Sequence, residues 1–236
     1  MRGQIVAIGG GGFTCEKDRL AIDHYLLELT NKERPHVLFL PQASAEAKDY
    51  VEAYLTAYRQ LGADADWLSL YGSVEHGWEE RILKADLVYV GGGNTRSMLA
   101  LWREWGVDQL LRQAAEQGSV LAGVSAGAIC WFEQGITDSV RPLGVLDCLG
   151  FLPGSCCPHY DGEPERRPAY AKFLLEQRCE PGIALSDGTA AHYVDGKLHQ
   201  TLVWREGRAY SLDGDAKETE LPALQIIASD ACSQRV

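Results

Sequence analysis

Short apolar runs of four or five residues alternate along the first half of the chain with longer stretches in which apolar positions recur every three or four residues. The runs predict strands buried on both faces, and the longer stretches predict amphipathic helices. Strands are expected at 4–8, 36–40, 66–70, 87–90 and 120–123, and helices at 18–29, 45–61, 97–105 and 107–117. Such alternation predicts an α/β fold with a mostly parallel central sheet flanked by helices. After a further helix at 164–177, the pattern changes to short strands at 183–185, 190–194, 201–204 and 209–212, separated by turns such as Asp195-Gly196 and Glu206-Gly207. These predict a C-terminal antiparallel extension. With no linker-like composition or internal repeat, the expectation is one α/β domain over 1–228 and a loose tail over 229–236.

Composition narrows the class without naming a chemistry. The 236 residues are 46% hydrophobic and 23% charged, which suits a globular chain with a substantial core. Lys and Arg number 22 against 33 Asp and Glu, and the formal charge of -11 argues against nucleic acid or an anionic membrane as partner. Any anionic substrate would therefore need local positive charge. No apolar stretch has the length of a membrane span and the N-terminal residues carry no signal-peptide pattern, so a cytoplasmic location is expected. Seven cysteines without a C-x-x-C pair suit buried free thiols better than a disulfide framework or a zinc site.

Candidate chemistry centres on Gly123-Val124-Ser125-Ala126-Gly127, a G-x-S-x-G pentapeptide between the strand at 120–123 and an apolar segment read as a helix. This is the sequence form of a nucleophile elbow, a sharp strand-to-helix turn that holds a serine hydroxyl clear of the backbone. Two further Gly-rich turns follow expected strands, Gly9-Gly10-Gly11-Gly12 and Gly91-Gly92-Gly93-Asn94-Thr95. The first departs from a dinucleotide fingerprint because Thr14 stands where the third glycine belongs, and no cofactor is expected. The second offers backbone N–H groups to a developing oxyanion: Ala126 would supply one donor, and Gly92 or Gly93 the other. Asn94 is the expected cap of the next helix and a candidate substrate contact. Among six histidines, His159 leads as general base because Pro158-His159-Tyr160-Asp161 ends an apolar segment and opens a loop, with His192 second. For the acid that orients the imidazole, Asp187 follows the strand at 183–185, while Asp138 lies closer to the elbow in sequence. Both stay open.

Gly91 to Thr95, Gly123 to Gly127 and Pro158-His159-Tyr160, in this order and spacing, resemble the serine peptidase family of dipeptidase E and cyanophycinase. The resemblance runs from Val6 to about Val194. It implies a class I glutamine amidotransferase-like fold, Ser125 as nucleophile, His159 as base and an acid near Asp187. It also implies that Arg166, in Pro164-Glu165-Arg166-Arg167, reads the carboxylate of an N-terminal aspartate, and that no metal is needed. The expected function is a serine-dependent hydrolase of small peptides, an aspartyl dipeptidase acting through an acyl-enzyme. A small peptide is the expected partner, and a homodimer the expected assembly. The alternatives are a non-catalytic ligand-binding module on the same fold and a cyanophycinase-like hydrolase, for which the chain is short.

Overall fold

The computed structural model describes residues 2–13, 15 and 20–227. The first half alternates β1 (Gln4–Ile8), α1 (Ala21–Leu29), β2 (His36–Leu40), α2 (Lys48–Gln60), β3 (Asp64–Trp67), α3 (Trp78–Leu83), β4 (Leu87–Val90), α4 (Thr95–Trp105), α5 (Val107–Glu116) and β5 (Val120–Val124). Next come α6 (Ala126–Ile129), β6 (Phe132–Thr137), β7 (Gly144–Asp147), β8 (Leu152–Cys157), α7 (Arg166–Leu175), β9 (Gly182–Leu185), β10 (Thr189–Val194), β11 (Lys197–Val203), β12 (Ala209–Leu212), β13 (Glu218–Glu220) and β14 (Ala223–Gln225). The tail expected at 229–236 and the start of the helix expected from residue 18 lie outside the described residues.

The fold is α/β. An eight-stranded sheet runs β14-β11-β10-β1-β5-β4-β2-β3, in which β1, β5, β4, β2 and β3 are mutually parallel. Successive residues of its central strands enter different cores because side chains alternate across the sheet. Ile5 and Ala7 join Met98, Trp102 and Leu111 of α4 and α5 on one face, while Val6 and Ile8 join Ile22, Leu26, Tyr54 and Tyr58 of α1 and α2 on the other. Burial on both faces explains why these strands read as continuous apolar runs.

The antiparallel strands expected near the C-terminus do form, but in two places. β10 and β11 extend the first sheet beside β1, whereas β9 and β12 belong to a second sheet ordered β13-β12-β9-β8-β6-β7. Strands β6, β7 and β8 carry little period-two signal, since Gly135 and Gly154 interrupt β6 and β8 and a register shift follows Phe132. The helix expected after the elbow is a single turn, α6, before the chain re-extends into β6. No helix among the described residues is long and apolar enough to cross a membrane.

Candidate active site

Strand β5 delivers Ser125 into φ 57°, ψ −110°, a region that costs a non-glycine residue of order 1–3 kcal/mol and persists only when neighbours enforce it. Here they do. A Cβ on Gly127 would collide with the Val90 carbonyl, and one on Gly123 with the carbonyl of Gly127, so the elbow can tighten only because both flanks are glycine. The Ser125 N–H donates to the Ile8 carbonyl at 3.0 Å, tying the turn to the end of β1. The serine is half-buried, and with His159, Gly93, Asn94, Asp138 and Arg166 it lines a cleft of ≈ 260 Å³.

His159 also has a positive φ, 52°. Its N–H donates to the Gly9 carbonyl at 3.3 Å, and its carbonyl accepts the N–H groups of Gly162 and Glu163 at 3.1 and 3.0 Å. The ring Nδ1 lies 2.6 Å from Oδ1 of Asp187, which follows β9. The imidazole hydrogen bond, helped by Arg205 and Arg166 and opposed by partial burial, holds the Asp187 carboxyl below its ordinary range. An ionised carboxylate only accepts, so Nδ1 carries the hydrogen, and in the neutral ring the lone pair is on Nε2. A Cβ on Gly10 would collide with Oδ1 of Asp187 and sit 2.8 Å from His159 Nδ1, and one on Gly162 would lie 2.8 Å from Asp187 Oδ2. The first Gly-rich turn thus packs directly against the His159–Asp187 pair. Asp138, the other candidate acid, is half exposed in the loop after β6 and faces Arg166. His192 has both ring nitrogens engaged, by Tyr25 at 2.8 Å and Gln4 at 3.1 Å, on β10 outside this cleft.

The turn after β4 is held from several sides. A Cβ on Gly93, whose φ is 134°, would collide with the Ala43 carbonyl, which accepts the Asn94 N–H at 2.7 Å. The Gly92 N–H donates to the Tyr50 hydroxyl at 3.1 Å. No acceptor among the described residues takes the N–H of Gly93 or Ala126. Asn94 lines the cleft, but its Oδ1 caps α4 through the Ser97 N–H at 2.9 Å and its Nδ2 donates to the Ser139 carbonyl at 3.2 Å. Arg166 is only 3% exposed, with Nε donating to Glu163 at 2.6 Å, Nη1 to the Ile136 carbonyl at 3.1 Å, and Asp138 at 3.9 Å. Its charge is therefore matched by chain carboxylates before any substrate arrives. Arg167 pairs with Asp161 and Glu218 and lies over the rings of Tyr160 and Tyr210.

Tyr50 was not expected from sequence, because it lies in no local motif and its partner Gly92 comes from another segment; Asp161 and Glu163 lie beside His159 and Arg166, but nothing in the sequence shows that they pair with Arg167 and Arg166. Among the described residues, no group of three or more His, Cys, Asp or Glu is arranged to hold a metal ion. Burial pushes the thiols of Cys148 and Cys157 up to about 12, which leaves them protonated and unreactive at neutral pH.

Known proteins share this architecture. The crystal structure of a peptidase from an acI-B1 Actinobacterium superposes with a TM-score of 0.69 at 21% identity, covering 97% of this chain and 98% of that one. A putative Peptidase E protein from Listeria monocytogenes EGD-e gives 0.65 at 22%, over 87% and 100%. These two likenesses concern the fold. In sequence, the uncharacterized peptidase YgaJ of Bacillus subtilis (strain 168) is 47% identical over 208 residues, 88% of this chain and 90% of that protein. Peptidase E of Pasteurella multocida (strain Pm70) is 30% identical over 177 residues, 70% and 74% of the two chains. The model for Peptidase family S51 matches residues 5–201, through the elbow and the His159–Asp187 pair. By this match and these relatives, the chain is a peptidase and belongs to family S51.

Proposed function

We propose that this peptidase is a serine hydrolase of short peptides, with Ser125 as nucleophile, His159 as general base and Asp187 as the group that orients the imidazole. The observation that carries the reading is one cleft shared by a strained elbow serine and a histidine whose Nδ1 is held 2.6 Å from a carboxylate. Ser125 Oγ attacks the scissile carbonyl while His159 Nε2 takes its proton, and the Ala126 N–H with one from the Gly92–Gly93 turn binds the oxyanion. The imidazolium returns the proton to the leaving amine. Water, deprotonated by the same nitrogen, then releases the acyl group from Ser125.

An N-terminal aspartyl residue is the favoured substrate in this reading. Arg166 borders the cleft, and its guanidinium fork suits a carboxylate once Glu163, 40% exposed at the side chain, gives up its place. Ser125→Ala should fold like the wild type, resist a fluorophosphonate that labels the wild type, and lose about 10⁴-fold or more in kcat. Near-normal turnover by a folded Ser125→Ala protein refutes the serine mechanism. Arg166→Lys should lower kcat/KM for Asp-X dipeptides well beyond its effect on Ala-X; equal losses refute the aspartyl preference and leave the hydrolase intact.

A further inference from the structure

We propose that Tyr50 is a positioning residue of the oxyanion site, and that the Gly91–Gly93 turn serves the oxyanion through the N–H of Gly93 while that of Gly92 belongs to Tyr50. The inference rests on the serine-hydrolase reading and deepens it.

A backbone amide has one hydrogen to give. That of Gly92 goes to the Tyr50 hydroxyl at 3.1 Å, whereas that of Gly93 has no acceptor among the described residues, and Gly93 lines the cleft. Three consecutive glycines have little conformational preference of their own, so this turn depends on its anchors. Two are backbone bonds, from the Gly91 N–H to the Leu40 carbonyl at 3.1 Å and from the Asn94 N–H to the Ala43 carbonyl at 2.7 Å. The third, between them, is the Tyr50 hydroxyl.

Tyr50 is itself held in place. Its ring stacks on Phe13 with centroids 5.5 Å apart, meets Phe39 edge-on at 5.2 Å, and approaches Gly91 so closely that a Cβ there would lie 2.9 Å from its Cε1. Burial pushes the phenol up to about 12, so the hydroxyl stays protonated and neutral beside a site where negative charge develops. Gly92 is the residue of this turn that touches the nucleophile, for a Cβ on it would lie 3.4 Å from Ser125 Cβ. A rotation of the 92–93 peptide would therefore change both the space beside Ser125 and the aim of the Gly93 N–H. An oxyanion donor acts mainly in the transition state, so a misaimed one lowers kcat and leaves KM nearly unchanged.

Tyr50→Phe removes one oxygen and keeps the ring. We expect kcat to fall about tenfold or more with KM within about twofold, since losing an oxyanion donor outright costs about 10²–10³. A peptidyl boronate, which forms a tetrahedral adduct on Ser125, should weaken by the same factor, while a non-covalent product binds as before. Hydrogen exchange of the Gly92 amide should accelerate. Unchanged kcat and boronate affinity overturn the positioning role. Increased kcat overturns the donor assignment, because it means that the freed Gly92 N–H serves the oxyanion. Equal weakening of boronate and product, or no change in Gly92 exchange, also overturns the proposal. Failure of the underlying reading is recognised separately, by turnover that survives Ser125→Ala with Tyr50 intact.

Discussion

At the scale of single residues, the site rests on two side chains held in uncommon backbone conformations, Ser125 at φ 57° and His159 at φ 52°. Each is pinned by backbone hydrogen bonds to the end of β1 or the turn after it, through the Ile8 and Gly9 carbonyls. Asp187 adds a fixed charge, and its hydrogen bond to His159 lowers the acidity range of the carboxyl. The sign follows from linkage. A carboxyl lowered below its unfolded value of about 3.9 contributes stability that is present above that pH and is lost as pH falls through the folded value. Asp187→Asn should therefore remove a part of stability that the wild type has above about pH 4 and loses below it, and at neutral pH it should cost about 10⁴-fold in kcat by letting the imidazole take the wrong tautomer. A pH-resolved melt and a kcat measurement test both, and a benign Asp187→Asn with a crippling Asp138→Asn would require another acid. Ser125 was legible in the sequence because its signal is five contiguous residues. The choice between Asp187 and Asp138 was not, since it depends on which carboxylate the fold brings to His159.

At the scale of elements, the proposed catalytic side chains are presented at the carboxyl ends of β5, β8 and β9, and a glycine turn after β1 fills the space behind them. That turn was legible as a strand-end loop, but its task was not, because the residues it packs against come from positions 159 and 187. Gly10→Ala tests this role. The added Cβ would meet the end of the Asp187 side chain, which can swing away without unfolding the sheet. We expect Gly10→Ala to shift Tm by only a few degrees while lowering kcat by about 10²-fold or more, bounded by the Asp187→Asn loss. Normal kcat in Gly10→Ala would mean that the turn yields and the carboxylate stays. Arg167 joins elements in another way, for it links the Asp161 loop to Glu218 on β13, and the Ser186 hydroxyl donates to Asp161 at 2.5 Å next to Asp187.

At the scale of the whole molecule, the first sheet closes against its antiparallel strands through a buried polar network centred on His192. Nδ1 lies 2.8 Å from the Tyr25 hydroxyl, Nε2 lies 3.1 Å from Gln4 Oε1, and Gln200 donates to the Tyr25 hydroxyl, a pattern that the neutral ring satisfies with Tyr25 donating to Nδ1 and Nε2–H donating to Gln4. Burial, reinforced by His199, moves His192 down to about 4. The unfolded chain, with a value of about 6.5, therefore binds a proton that the folded chain refuses between these two limits. Stability from this site is complete above about pH 6.5 and declines as pH falls toward 4. His192→Gln keeps a polar side chain and loses the titration, so its Tm should depend less on pH between 7 and 4.5 than that of the wild type. Parallel curves would mean that His192 is not held neutral.

The sequence by itself determined the α/β alternation, the two-faced burial of β1, β2, β4 and β5, and the positions of Ser125 and the glycine turns. All of these are signals written in contiguous residues, as periodicity or as a local steric requirement. Tertiary structure alone decided which strands share a sheet, since β10 pairs with β1 across nearly the whole chain while β9 joins β8. It also decided that Asp187 meets His159, that Arg166 is already matched by Glu163 and Asp138, and that the Gly92 amide belongs to Tyr50. Most of those pairings join residues tens of positions apart. No local pattern encodes such pairings, because hydrogen-bond and ion-pair energies act over a few ångströms of space and are indifferent to separation along the chain.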